Sequence, residues 1–200
     1  MEHTMKSVVG LAACVLSSVL IVPEAVAVPI VSIDTDPATP GIQSSLSILL
    51  GNPFTVDVVI TGVEAGAPLN GFQFDLLFDP IVLGASSVAS GGFLPAPSLV
   101  LVADLAQPDV NYAEASLGGG GVGQGVLASA SFDTLSVGTR ALDLTNLILA
   151  SLVPPGGEIS ALVNDGSVTV TSGQVIPEPS TVLLLGIGMA SLILTSIRRH

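Results

Sequence analysis

Tryptophan is absent from this sequence, and cysteine and tyrosine each occur once. Lysine is confined to Lys6 and histidine to His3 and His200, so all three lie at the ends of the chain. The single cysteine, Cys14, also lies near the start, which leaves the middle without a disulfide. With no Cys, His or Lys in that middle, neither a Ser-His-Asp nor a Cys-His arrangement can be assembled. Zinc-type His/Cys sites are excluded for the same reason. Basic charge is scarce as well. Between residues 28 and 174 the only base is Arg140, whereas of sixteen acidic residues only Glu2, Glu24 and Glu178 lie outside that stretch. The whole chain carries a formal charge of −12. A nucleic acid ligand is excluded on this balance, because nothing could neutralise its phosphates. The acidity reads first as a solvating surface that keeps the protein soluble, with a basic partner or bound cations as the alternatives.

The two ends carry what the middle lacks, long apolar runs beside basic residues. Lys6 precedes the apolar stretch Val8 to Val22, Pro23 breaks it, and Ala25-Val26-Ala27 supplies a small-x-small cleavage pattern. A signal peptide over residues 1–27 is expected, cut by signal peptidase after Ala27. A retained anchor is the plainer alternative. Leu11-Ala12-Ala13-Cys14 also matches a lipobox, but Lys6 stands too close to Cys14 for a normal apolar region, and most of that region would lie beyond the cut. At the other end, Thr181 to Ile197 is uncharged and close to the lower length limit of a membrane-spanning helix. Arg198 and Arg199 follow and would keep the terminus cytoplasmic.

Immediately before that run stands Pro177-Glu178-Pro179. This motif, the apolar helix and the basic end, in that order over residues 175–200, resemble the PEP-CTERM sorting signal of Gram-negative bacteria that make exopolysaccharide. The resemblance implies a tail held transiently in the inner membrane until an exosortase processes it near the motif. The prolines prevent helix there and hold the backbone extended, where a protease could reach it. A plain C-terminal anchor with a proline-rich stem is the alternative.

The middle, residues 28–174, is about the size of one domain and can bury a core without staples. Gly, Pro, Asn or Asp punctuate it every eight to twelve residues, and period-two alternation recurs. Phe54, Val56, Val58 and Ile60 share one face of a predicted strand, and Phe72, Phe74, Leu76 and Phe78 share another. Val126 to Phe132, Ala141 to Leu149 and Ser167 to Thr171 are further predicted strands. Asn164-Asp165-Gly166 carries the signal of a turn between antiparallel strands, and Gly118 to Gly121 that of a flexible loop. An all-β sandwich is expected.

Asn70-Gly71-Phe72-Gln73-Phe74-Asp75-Leu76-Leu77-Phe78-Asp79-Pro80-Ile81-Val82-Leu83 resembles the signature strand of cohesin domains. Gly125 to Phe132, Leu142 to Leu149 and Asp165 to Val170 follow in that family's order. The resemblance implies a cohesin-like jelly-roll β-sandwich of about nine strands, and a dockerin-like protein partner held on one face of it. Kinship of that fold with carbohydrate-binding modules implies exopolysaccharide as the alternative ligand, although one tyrosine and no tryptophan make a poor stacking platform. The phenylalanines themselves read as core, and Asp79-Pro80 as the start of a turn.

Carboxylates are the chemistry that remains. Two acids can hydrolyse a glycosidic bond, yet no pair stands out in the sequence. Asp34-Thr35-Asp36 is the best local candidate for calcium, but it lacks the spacing of a calcium loop and reads as a solvated turn. The expectation is therefore an exported, non-enzymatic protein of the cell surface or exopolysaccharide matrix, with no catalytic residue, cofactor or metal assigned.

Overall fold

Alternating apolar and polar side chains give the backbone one face to bury, and the described chain is built from strands throughout. The computed structural model describes residues 27–154 and 156–173. Its strands are β1 (Ile30–Asp34), β2 (Ser45–Leu49), β3 (Phe54–Val63), β4 (Gly71–Leu77), β5 (Leu83–Ser90), β6 (Ser98–Asp104), β7 (Asp109–Ser116), β8 (Gly123–Thr134), β9 (Gly138–Ser151), β10 (Gly157–Glu158), β11 (Leu162–Asn164) and β12 (Gly166–Thr171). One sheet has the order β11-β1-β3-β8-β5. The other runs β2-β12-β9-β4-β7-β6, with β10 attached to β9. The signal peptide and the membrane helix expected from the sequence lie outside the described residues.

The two sheets pack face to face around the side chains that alternate inward. Phe54 and Phe132 stack at 5.5 Å on the five-stranded sheet, and Phe78 meets the Phe132 ring edge-on at 5.2 Å. On the seven-stranded sheet Phe72, Phe74 and Tyr112 form a second cluster, with centroids 6.0–6.2 Å apart. Both clusters belong to one continuous core with Val56, Val58, Ile60, Leu127 and Leu142.

β9 shows how the pattern is kept in register. Leu144 and Leu149 both face the core, yet they are an odd number of residues apart, which an unbroken strand would put on opposite faces. A bulge opposite Phe74 resolves the conflict: Asp75 pairs with Thr145 and Gln73 with Ile148, so Asn146 and Leu147 share one partner position. Asn146 takes a positive φ of 50° there and turns outward, while Leu147 packs against the core.

Three sequence expectations are revised. Among the described residues the strands number twelve rather than about nine. Residues 30–49, for which no strand was expected, hold β1 and β2, one for each sheet, and β10 and β11 are too short to leave a period-two signature. Asn164-Asp165-Gly166 is not a hairpin turn, because β11 pairs with β1 in one sheet and β12 with β9 and β2 in the other. Gly166 serves close approach at this crossing, since a Cβ there would lie 2.9 Å from Thr35 Cγ2. The glycine run is likewise packed rather than free. A Cβ on Gly120 would stand 2.5 Å from Pro68 Cβ, one on Gly121 2.7 Å from Phe93 Cε1, and Gly121 exchanges both backbone hydrogen bonds with Leu69.

Candidate interaction surface

The outward faces of the two sheets differ in chemistry. On the five-stranded sheet they carry small polar side chains that bond one another across strands. Thr55 and Ser131 hydroxyls lie 3.2 Å apart, and Ser129 Oγ donates to Asp57 Oδ1 at 2.6 Å.

The outer face of the seven-stranded sheet is divided into two bands. Register sets Asp104, Asn111, Asp75 and Thr145 in one row across β6, β7, β4 and β9, with Asp109, Leu77 and Asp143 in a row beside it. On the other side stand Val102, Ala113, Gln73 and Ile148, then Leu99, Ala115, Gly71 and Ala150. An acidic band thus adjoins an apolar one. The apolar band continues along β6, which ends the sheet. Leu99, Val100, Leu101 and Val102 are between 38 % and 60 % exposed. A bulge between Val100 and Val102 leaves Leu101 without a partner on β7. Exposure of Val100 and Ala103 as well as Leu99 and Val102 means that β6 overhangs the opposite sheet. A contiguous exposed apolar patch of this kind marks an interaction site more often than a solvent surface.

At the centre of the face Asp75 is only 7 % exposed. Asn111 Nδ2 donates to its Oδ1 at 2.6 Å, and Asn146 Nδ2 donates to its Oδ2. The bulge in β9 is what brings Asn146 within reach. The carboxylate is thereby held rigid with two amides fanned across the sheet surface.

Behind this face, Tyr112 and Glu114 of β7 point into the core. The Tyr112 hydroxyl donates to Glu114 Oε2 at 3.1 Å, and Glu114 Oε1 has no hydrogen-bond partner among the described residues. Burial, followed by the charge of Glu114 and the hydrogen bond to it, pushes the phenol up to about 12. Sequence reading missed this pair, because a glutamate at an inward position hides the alternation of Val110 and Tyr112.

The residues singled out from the sequence fall in separate places. Asp79 caps the turn after β4: Ile81 N donates to its Oδ1 at 2.9 Å and Arg140 Nε donates to its Oδ2. Those two bonds, the backbone one first, hold its carboxyl below the usual range. Asp34 Oδ1 accepts from the backbone N–H groups of Asp36 and Gln43, and Asp36 Oδ2 from Thr39 Oγ1, so both acids brace the crossing from β1 to β2. Among the described residues no three His, Cys, Asp or Glu side chains are grouped closely enough to hold a metal ion. Ala27 is exposed, and its N–H donates to Glu64 Oε1 at 2.8 Å; β1 begins beyond it at Ile30. Ala25, Pro177, Glu178, Pro179, Arg198 and Arg199 lie outside the described residues. A groove of about 590 Å³ beside β1 and β11 is lined by Ser32, Ile33, Ile42, Ser44 and Asn164 among others, without an aromatic ring.

The PEP-CTERM protein-sorting motif matches residues 175–199. No curated protein matches the chain in sequence. Solved structures share the fold of its middle. A non-cellulosomal cohesin from the archaeon Archaeoglobus fulgidus superposes with a TM-score of 0.59 at 16 % identity, covering 74 % of this chain and 94 % of that one. The seventh ScaB type I cohesin of Pseudobacteroides cellulosolvens gives 0.60 at 17 %, covering 76 % and 97 %. The cohesin of a type I cohesin–dockerin complex from Clostridium thermocellum gives 0.58 at 12 %, covering 73 % and 95 %. The chain therefore joins a PEP-CTERM sorting motif to a cohesin-like β-sandwich.

Proposed function

We propose that this chain is an exported, non-enzymatic protein of the cell surface or exopolysaccharide matrix, whose sandwich docks a protein partner on the outer face of its seven-stranded sheet. The divided face carries this reading. A partner that covers it needs an apolar ridge for β6 and the row of Val102, and basic side chains for the band of Asp104, Asp109 and Asp143. A dockerin-like module with such a surface fits, in keeping with the dockerin bound to the Clostridium thermocellum cohesin. Charge complementarity would quicken encounter and make the association rate fall with salt. Sugar binding has less support, because the groove beside β11 offers no ring for a sugar to stack on.

Pull-down from envelope and secreted extracts identifies the partner. Leu99→Glu combined with Leu101→Glu is then expected to weaken its binding at least tenfold, by placing carboxylates where the apolar ridge must dock. The thermal midpoint should hold, because both side chains are exposed. Retained affinity in that variant, or binding to the producer's own polymer with no protein captured, sinks the docking face.

Sorting is a separate part of the reading. Signal peptidase removes residues 1–27, the C-terminal apolar run holds the protein in the inner membrane, and exosortase acts at Pro177-Glu178-Pro179. Deleting those three residues should trap the unprocessed form in the membrane fraction. An unchanged mature mass and location would count against exosortase processing.

A further inference from the structure

One end of the sandwich is built as a stiff apolar platform around the point where the chain leaves for its sorting tail. β12 ends at Thr171, beside the end of β2, and Leu50 N donates to Thr171 O at 2.8 Å. The next loops are tied on in sequence. Gly51 N donates to Thr134 Oγ1 at 2.7 Å, Leu135 N to Val82 O at 2.7 Å, and Ser136 Oγ to Ile81 O at 2.8 Å. The β2–β3, β4–β5 and β8–β9 connections thus form one surface rather than three independent loops. Its outermost side chains are apolar: Ile81 is 73 % exposed, and Leu49, Leu50, Leu135 and Val137 are each about half exposed. Such exposure is costly in water, and nothing among the described residues covers it.

Acidic side chains share this end with the apolar ones. Asp79 is matched by Arg140, the one base among the described residues. Asp133 stands within the platform and Asp36 flanks it, and the β6–β7 turn with Asp104 and Asp109 lies at the same end, Asp109 pairing with Leu77 and Phe78 N donating to Pro108 O at 3.0 Å. The described chain stops at Gly173, and the apolar run begins at Thr181. That stretch can span about 25 Å at full extension, at roughly 3.3 Å per residue. The tail therefore holds this end, and not the opposite one, close to whatever the apolar run is embedded in.

We propose that the platform seats on the phospholipid bilayer while the tail is anchored, with Ile81, Leu135, Val137 and Leu50 inserted at the headgroup boundary. This rests on the reading of residues 181–197 as a membrane span. Seated so, the sandwich stands on its end, its seven-stranded outer face is directed sideways and open to a partner, and Pro177-Glu178-Pro179 is confined to the gap between platform and lipid. The apolar tips favour an uncharged or zwitterionic surface over an anionic one, since Asp36, Asp104, Asp109 and Asp133 have no basic neighbour among the described residues to offset repulsion.

The test uses the full chain with Cys14→Ser and single replacements Leu50→Cys, Leu135→Cys or, at the opposite end, Leu117→Cys, each carrying an environment-sensitive fluorophore. The labelled chains are reconstituted into phosphatidylcholine vesicles with and without a lipid-borne nitroxide quencher, and flotation measures anchoring. Quenching at positions 50 and 135 is expected to exceed that at 117 at least twofold, and Ile81→Asp should reduce the difference while flotation and the thermal midpoint hold. Chains that float but quench equally at both ends overturn the seat and leave the anchored tail standing. Chains that do not float overturn both. Labels at 50 and 135 that iodide cannot reach before lipid is added mean that the tail or a second copy already covers the platform, which also overturns the seat.

Discussion

β4 and β6 lie in the same sheet with only β7 between them, each is seven residues long, and each is rich in apolar side chains. In β4 the apolar residues alternate, and Phe72, Phe74 and Leu76 disappear into the core. In β6 they run consecutively, from Leu99 to Val102, and all seven residues are exposed. The difference is one of position in the sheet. β4 is paired on both edges and covered by the opposite sheet, whereas β6 ends the sheet and overhangs its neighbour. Hydrophobicity alone therefore does not say which strand holds the fold and which is available to a partner. Neighbours on both edges and a layer behind do.

The largest effect that could break this contrast is on stability. Phe74→Ala empties a position packed against Phe72 and Tyr112 and should cost about 3–5 kcal/mol in denaturant unfolding. Leu101→Ala in β6 should stay within about 0.5 kcal/mol. Similar losses at both sites would mean that β6 is buried in solution. Next comes the polar centre of the outer face. Asp75→Ala removes the acceptor of two amides and should cost about 1–3 kcal/mol by the same measurement, since Asn111 is left beside a nearly buried site without its partner.

Tyr112 lies on the strand between the two, and it is the only tyrosine in the chain, so phenolate absorbance reports it alone. Its phenol is raised in the folded state. The stability linked to it is therefore complete below the ordinary value near 10 and is lost as pH rises towards about 12. Absorbance should stay flat through pH 10 and rise only with alkaline unfolding or near 12, and a midpoint at 10 in the folded protein would mean that the inner face behind β7 is open to water. The smallest effect is at the surface beyond β4. Asp79 is lowered in the folded state, so its contribution is present above its ordinary 3.8 and fades as pH falls through the lower folded value. Arg140→Gln should raise the Asp79 midpoint, followed by NMR, part of the way back and no further, because the Ile81 N–H still donates to it.

How far the sequence could be read depended on where each strand lies. β4, β3 from Phe54 to Ile60 and β8 from Ala128 to Thr134 alternate with one face on the core, so these strands were legible within a few residues, although bulges at Leu127 and beyond Ile60 break the period in β8 and β3. β7 was missed because Glu114 and Ser116 occupy inward positions, and β6 because a continuous apolar run on a terminal strand has no period. β9 was legible in outline only, since its bulge lets leucines an odd number of residues apart share the core. The candidate surface itself was not legible. Asp75, Asn111 and Asn146 are scattered along the chain and meet only through strand order and that bulge, and β6 joins the same face because β7 pairs with both it and β4.

Composition and local pattern by themselves determined the all-β class, the absence of histidine, cysteine and lysine from the middle, and the sorting motif at the end. Those properties belong to single residues or to neighbours along the chain, and folding cannot alter them. The tertiary structure decided which apolar residues are covered, where acidic and apolar bands adjoin, and which loops surround the exit to the tail. The physical reason is that pairing between strands brings together residues tens of positions apart, and burial is set by the strands on either side and the sheet behind.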